Sequence, residues 1–205
     1  MEVNEDEDRP EPPRSSLPIG MDLMVKDHFD DFRSNGEKPP ELDHLGIEAD
    51  LYPDEDFLND ARHWNSPPKW EDPETGTVLY GGVDDLLLSE NNKIIVIDYK
   101  TRGFEPNEET GVPDYYSRQV NLYNLILRGN DYETEDFGLI LYYYPDKVKE
   151  NGDIIFHKEW RRVEVDIPKA KQMVRDVRET VDGSKPEPNS ECDYCGWRRN
   201  GRKDD

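Results

Sequence analysis

Two short apolar segments, residues 83–88 and 94–97, are separated by five polar residues near the middle of this sequence. The intervening segment 89–93 (SENNK) holds residue types that tolerate positive φ and bond to their own backbone. Aliphatic and β-branched runs on either side of such a turn predict two antiparallel strands. The sequence therefore predicts a buried β-hairpin around which the rest of the domain folds.

Ionisable side chains cluster at the open end of this hairpin. Asp98 and Lys100 follow the second apolar run, and residues i and i+2 project from the same face of a strand. A three-residue loop would place Asp84 opposite Asp98, whereas a two-residue loop would place Asp85 there. In either register the two carboxylates lie about 4.5–5.5 Å apart at Cβ and repel each other, which favours a bound divalent cation. An ordinary hairpin with a solvated acidic end is the alternative interpretation of this spacing.

Three short motifs follow one another between about residues 77 and 130. They are segment 81–84 (GGVD), segment 96–101 (VIDYKT) and segment 119–123 (QVNLY). Their order and spacing resemble the PD-(D/E)XK nuclease superfamily, specifically its RecB-like branch, whose patterns are G-x-V-D, D-Y-K-T and Q-x-x-x-Y. The resemblance implies a restriction-endonuclease-like α/β core of mixed α+β type, with a central mixed sheet flanked by helices.

The same resemblance implies a catalytic set. Asp84, Asp98 and Lys100 would be the acid–acid–lysine group, and Gln119 and Tyr123 would orient it from the following helix. The implied function is a metal-dependent nuclease, a hydrolase of phosphodiester bonds with an exonuclease-like action, on DNA in preference to RNA. An intact set of this kind also argues against a degenerate enzyme, because a dead site has no reason to retain two repelling carboxylates.

Metal ligands are implied by the resemblance as well. Asp84, Asp98 and the backbone carbonyl of Tyr99 would bind Mg²⁺ or Mn²⁺, which prefer oxygen ligands. His28 is a further candidate, since the RecB-like branch often places a metal-binding His or Glu on its first core helix. A half-exposed helix histidine without a ligand role is the alternative for His28.

Hydrophobic periodicity predicts the elements around the hairpin. We expect helices over residues 21–33, 54–64, 114–128 and 169–181, and further strands over 137–144, 154–160 and 163–167. A turn is expected over residues 145–153. On the third helix, one face carries Tyr115, Gln119, Leu122, Tyr123 and Ile126, and we expect that face to be buried.

The charge balance conflicts with a nuclease. The formal net charge is −22 at pH 7, from 48 acidic and 26 basic residues, whereas DNA binding normally uses a basic surface. Three explanations stay open: adaptation to a salty cytoplasm, a local basic groove in an acidic protein, or no nucleic-acid binding. The competing function is a catalytically inactive acidic interaction module on a nuclease fold, because fold alone does not define function.

Composition also divides the chain. Residues 1–17 are acidic and proline-rich and predict a disordered tail, residues 18–190 the nuclease-like domain, and residues 191–205 a C-x-x-C knuckle with a basic tail. Cys192 and Cys195 are half of a metal site, so no iron–sulfur cluster is predicted, and a zinc completed by histidines or by a second subunit stays open. The basic tail could contact phosphate, and it or the acidic surface could bind a protein partner. No membrane span and no secretory signal are predicted, and a cytoplasmic location is expected.

Overall fold

The computed structural model describes residues 16–63, 67–107, 111–185, 187, 189–192 and 195. The elements in chain order are α1 (Ser16–Asn35), a 3₁₀ turn (Leu42–His44), β1 (Ala49–Leu51), α2 (Glu55–Arg62), β2 (Lys69–Glu71), β3 (Val78–Tyr80), β4 (Asp85–Ser89), β5 (Ile94–Thr101), α3 (Asp114–Gly129), β6 (Phe137–Val148), β7 (Ile154–Glu164) and α4 (Ile167–Asp182). Most of the predicted acidic tail and nearly all of the predicted basic tail lie outside the described residues.

Five strands form a central mixed sheet in the order β1-β4-β5-β6-β7. Strands β5 and β6 are parallel, and helix α3 connects them, as a parallel pair requires a crossover. The other neighbours in the sheet are antiparallel, and β2 and β3 form a separate two-stranded ribbon. Helices cover this sheet, so the predicted mixed α/β fold is confirmed.

The central strand β5 is buried on both faces. Ile95 and Ile97 pack with Phe29 of α1, whereas Val96 packs with residues of α2 and α3 such as Leu127. A strand covered on both sides has no polar face, which explains its continuous aliphatic run. Within the part of the chain that is described, no helix is both long and apolar enough to cross a membrane.

The β4–β5 hairpin has the register of the three-residue loop. Asp85 lies opposite Ile97, Leu88 opposite Ile94, and the Ser89 N–H donates to the Lys93 carbonyl at 2.9 Å. Asn92 in the turn has φ 58°, which matches the predicted tolerance for positive φ. Continuing this register by one residue places Asp84 opposite Asp98.

Helix α3 buries part of the predicted face, with Ile126 fully and Leu122 and Tyr123 partly buried, and it buries a neighbouring face as well. Tyr115 is 62% exposed, and the buried residues include Val120, Asn124 and Leu127. Asn124 is tolerated there because its Nδ2 donates to the Val120 carbonyl at 2.9 Å. Gly138 on β6 permits close packing, since a Cβ there would lie 2.5 Å from Val120 Cγ1. Because the polar residue Asn124 lies among these buried residues, the pattern of apolar residues did not reveal this face of the helix.

The β6–β7 ribbon is longer than predicted. The expected turn over 145–153 is present only over residues 149–153, because β6 continues through Pro145 to Val148. Pro145 sits at a register shift in the ladder, where a missing N–H is tolerated. The expected break between two strands at residues 160–163 is also wrong, since β7 runs unbroken from Ile154 to Glu164.

Candidate active site

Asp84, Asp98 and Lys100 lie together at the end of the β4–β5 hairpin. Lys100 Nζ forms an ion pair with Asp98 Oδ2, and both residues lie on β5. Asp84, just before β4, accepts the backbone N–H of Tyr99 on its Oδ2 at 2.9 Å. This hydrogen bond holds the Asp84 carboxylate against β5. The acid–acid–lysine arrangement expected from the motifs is therefore a local property of one hairpin.

The carboxylate of Asp98 is buried and poorly satisfied. Asp98 is 1% exposed, and apart from the ion pair to Lys100 and the close approach of the Asp84 carboxylate its two oxygens have no hydrogen-bond partner among the described residues. Burial raises the pKa of Asp98 to about 7; Asp84 adds to this shift, and Lys100 opposes it. A buried acceptor without donors is destabilising unless a cation or water satisfies it. Asp98 Oδ1 is thus available to a divalent cation.

Lys26 on α1 completes the charge balance of the site. Its Nζ lies 2.8 Å from Asp84 Oδ1 and 2.8 Å from Asp22 Oδ2. Lys26 was not predicted from the sequence, because an Asp–Lys pair four residues apart is typical of any exposed helix. The only available signal was its position two residues from His28, in the helix where the resemblance predicted a ligand.

His28 does not join this group. Its Nε2 lies 3.1 Å from Glu41 Oε2, and its ring packs edge-on against Phe32. Residues two apart in an α-helix project about 200° apart, so a helix that directs Lys26 toward Asp84 directs His28 elsewhere. Glu41 also accepts a hydrogen bond from Lys158 Nζ at 2.7 Å. The contacts of His28 are therefore with the β7 side of the domain.

Behind the site, Asp85 is part of a buried ion network. Arg62 on α2 donates from Nη2 to Asp85 Oδ2 at 3.0 Å and from Nε to the Asp84 carbonyl at 2.7 Å. Arg33 forms an ion pair with the other oxygen of Asp85, and the Tyr99 hydroxyl donates to Asp85 Oδ2 at 2.7 Å. The two adjacent aspartates therefore project to opposite faces of the sheet. Asp85 has a structural role, and Arg62 fixes the backbone of Asp84.

The Q-x-x-x-Y motif reaches the site from α3. Gln119 Nε2 donates to the Tyr123 hydroxyl at 2.6 Å. Burial raises the pKa of Tyr123 to about 12, and Asp98 and Asp84 add to the shift, while the bond from Gln119 opposes it. Gly81 lies against the Tyr123 ring, where a Cβ would be 3.2 Å from Cε1. The motif at residues 81–84 therefore packs directly on the motif at 119–123, and both lie beside the motif at 96–101.

A cavity of about 640 Å³ opens beside Asp84. Cations and aromatic rings both line it, namely Lys26, Arg62, Tyr80 and Tyr123, together with the glycine segment 81–82. Gly82 allows α2 to approach this wall closely, because a Cβ there would lie 3.2 Å from the Arg62 carbonyl oxygen. The cavity has the combination of groups that can hold a phosphate and an attached ring.

Among the described residues, no group of three or more His, Cys, Asp or Glu side chains is arranged to hold a metal. Mg²⁺ is commonly held through one or two carboxylates and keeps several waters. Asp84 and Asp98 supply two carboxylates, and Asp98 Oδ1 lacks a donor. The residues present therefore fit a hydrated oxygen-bound cation, but not a site made of protein side chains alone.

Comparison with known proteins agrees with the motifs. A family model described as the PD-(D/E)XK nuclease superfamily matches residues 20–200. No curated protein matches. The crystal structure of SSO0001 is 21% identical over 62% of this chain and 52% of that chain, with a TM-score of 0.36, so the present chain spans about half of its length. The family match covers most of the 205 residues, and the chain belongs to the PD-(D/E)XK nuclease superfamily.

Proposed function

We propose that the protein is a metal-dependent nuclease of the RecB-like type that hydrolyses phosphodiester bonds in DNA. The observation that carries the proposal is the meeting of Asp84, Asp98 and Lys100 at one hairpin end, beside the Gln119–Tyr123 pair. Membership of the nuclease superfamily supports the same assignment. A purely structural ion pair between Lys100 and Asp98 would not require a second carboxylate, Asp84, close to the buried Asp98, because two such carboxylates repel each other.

Asp84, Asp98 and the Tyr99 carbonyl would hold Mg²⁺ or Mn²⁺ in this proposal. When bound, the metal neutralises charge on the phosphate and lowers the pKa of a coordinated water. The unpartnered Oδ1 of Asp98 supports this assignment. His28 is left out of the ligand set, because its contacts are with Glu41 and Phe32.

Lys100, Gln119 and Tyr123 would supply positive charge and position the phosphate of the substrate. Lys100 Nζ lies beside Asp98 and 4.9 Å from the centre of the Tyr116 ring, so its ammonium is held at the site from two sides. There it would stabilise negative charge that develops on the phosphate oxygens. Gln119 directs the Tyr123 hydroxyl, which would orient the scissile phosphate.

The test is cleavage of end-labelled single- and double-stranded DNA with Mg²⁺ or Mn²⁺, at low and at molar KCl. Lys100→Ala and Asp98→Asn should each lower the rate by about 10²–10³, as expected when one charged group of a preorganised site is removed. Lys149→Ala and Asp153→Asn are matched controls, because these residues form an exposed ion pair on the β6–β7 ribbon. Both controls should cleave at the wild-type rate.

Circular DNA separates the two modes of action. An exonuclease-like enzyme should degrade a linear strand and leave the same strand intact when it is circular. If no DNA is cleaved in any salt and calorimetry detects no Mn²⁺ binding, the nuclease proposal is wrong. The acidic interaction module would then be the better description of this fold.

A further inference from the structure

Helix α1 exposes more large apolar side chains than any other element in the described part of the chain. The four side chains, each between 50% and 68% exposed, are those of Leu17, Ile19, Leu23 and Met24. A contiguous exposed apolar patch commonly marks a binding surface. We propose that this α1 patch is the interface of a homodimer, in which α1 packs antiparallel on α1 of a second copy of the chain. The dimer does not depend on the proposed nuclease function.

The patch lies on the outer face of α1. Val25 and Phe29 face inward, where they are buried in the core under the central sheet. Leu17, Gly20 and Leu23 face outward as one stripe, because residues three apart on a helix are neighbours. Among the described residues, nothing lies within 4 Å of the Cβ that Gly20 lacks. The packing of the chain itself therefore does not require glycine there, although glycine destabilises a helix relative to alanine. A close approach by a second helix would account for this glycine.

The patch is self-complementary about Gly20. Segment 17–23 reads LPIGMDL, so Leu17 and Leu23 each lie three residues from Gly20. A two-fold dimer interface requires such a pattern, because residue i of one copy contacts residue j of the other and j contacts i. In an antiparallel pair of α1 helices that cross at Gly20, Leu17 packs on Leu23 of the partner subunit, and the reverse contact is identical. A different protein would not need this symmetry, so a second copy is the partner that the patch fits.

The charges on α1 favour the antiparallel arrangement. Asp27 and Asp31 are exposed on the same outer face, in the half of the helix that follows the patch. An antiparallel crossing at Gly20 separates the two copies of Asp27 by about 21 Å along the helix axis, at about 1.5 Å per residue. It also brings each Asp27 near the first turn of the partner helix, which has no acidic residue and carries the positive end of the helix dipole. A parallel pair would instead place each aspartate beside its own copy.

The dimer should be weak and should depend on salt. One pair of helices buries less than the roughly 1,200–2,000 Å² of a standard interface. Both copies also carry a net charge of −22, and their repulsion acts over about 10 Å in 0.1 M salt but over about 3 Å at 1 M. We therefore expect the dissociation constant of the dimer to fall as KCl rises to molar concentration.

Sedimentation equilibrium tests the interface over a range of protein concentrations in molar KCl. The average mass of the wild type should rise with concentration from 24.0 kDa toward twice that value. Leu23→Glu should raise the dissociation constant by about tenfold or more, because it removes apolar burial from the interface. Val177→Glu is the matched control, since Val177 is 59% exposed on α4 and this variant adds the same charge outside the α1 patch. The control should dimerise like the wild type.

Cysteine cross-linking tests the arrangement of the two helices. The background carries Cys192→Ser and Cys195→Ser, which remove both natural thiols. Gly20→Cys should form a disulfide between copies on mild oxidation, because a disulfide needs Cα atoms about 4.4–6.8 Å apart and position 20 lies at the crossing. Asp27→Cys should stay unlinked, since its two copies are far apart in an antiparallel pair.

Three results would overturn the inference. A wild type that stays monomeric at every concentration in molar KCl would show that the patch does not bind a second copy. A Leu23→Glu variant that dimerises as strongly as the wild type would show that the copies meet at another surface. Equal disulfide formation at positions 20 and 27 would show that the helices do not pack antiparallel.

Discussion

At the scale of single residues, the site pairs each of its two carboxylates with its own lysine. Lys26 contacts Asp84 at 2.8 Å, and Lys100 forms an ion pair with Asp98. The two lysines come from different elements, α1 and β5, yet both offset the repulsion between the carboxylates. Only Lys100 belongs to the motif, so the two lysines are expected to have different effects on the metal.

Replacement of Lys26 by methionine should strengthen metal binding. Methionine removes a positive charge adjacent to Asp84, which would otherwise repel a divalent cation, and we expect the dissociation constant for Mn²⁺ to fall about tenfold. Isothermal titration calorimetry measures this directly. Lys38→Met is the control: among the residues that the structure describes, Lys38 forms an ion pair only with the exposed Glu48, at 4.0 Å, so this variant should leave the constant unchanged. Weaker Mn²⁺ binding in Lys26→Met would contradict this account of the charge balance.

At the scale of elements, packing of the β2–β3 ribbon on α3 depends on one glycine. A Cβ at Gly129 would lie 2.0 Å from Trp70 Cδ1, and Trp70 on β2 is buried against Leu125, Ile126 and Ala170. Gly20 on α1 differs, since nothing lies within 4 Å of the Cβ that it lacks. Packing therefore requires a glycine at position 129, whereas the surroundings of position 20 leave room for a side chain.

Alanine at these two positions should change stability in opposite directions. Gly129→Ala should lower the free energy of unfolding by about 1–3 kcal/mol, because the added methyl group displaces Trp70. Gly20→Ala should raise it by about 0.5–1 kcal/mol through the better helix propensity of alanine. Urea denaturation followed by circular dichroism measures both. Equal stabilisation by the two changes would show that the ribbon does not pack on α3 in this way.

At the scale of the whole molecule, the net charge of −22 is distributed over a domain with a core of ordinary composition. Repulsion among surface carboxylates destabilises the compact state, and it is screened over about 10 Å in 0.1 M salt but over about 3 Å at 1 M. We expect the free energy of unfolding in urea to increase as KCl rises from low to molar concentration. An uncharged osmolyte of equal osmolality, which does not screen charge, separates screening from solvent exclusion. A constant or falling stability would argue against adaptation to salt as the origin of the acidity.

Much of the fold could be predicted because its signals are local. The aliphatic run 94–97, the turn 89–93 and the helix beginning at Asp114 were recognised from periodicity and turn chemistry, and the structure has all three elements. The end of β6 could not be predicted in the same way. Pro145 resembles the start of a turn, and only pairing with β7 keeps the strand extended beyond it. The second buried face of α3 could not be predicted either, since it includes Asn124, which finds its hydrogen-bond partner within the helix itself.

The amino-acid sequence was enough to predict the hairpin and the shared face of Asp98 and Lys100, because side chains alternate along a strand. It left the length of the turn open, and the pairing of β4 with β5 shows that the loop has three residues. The motif resemblance favoured Asp84 over Asp85, and the tertiary structure shows the physical difference between these two adjacent aspartates. Asp84 faces Lys26, whereas Asp85 is held behind the sheet by Arg33 and Arg62 from two separate helices. Helical periodicity shows which residues share one face of a helix, but it does not show which other residues that face contacts. For that reason Lys26 and Arg62 look like ordinary surface charges until the helices pack on the sheet.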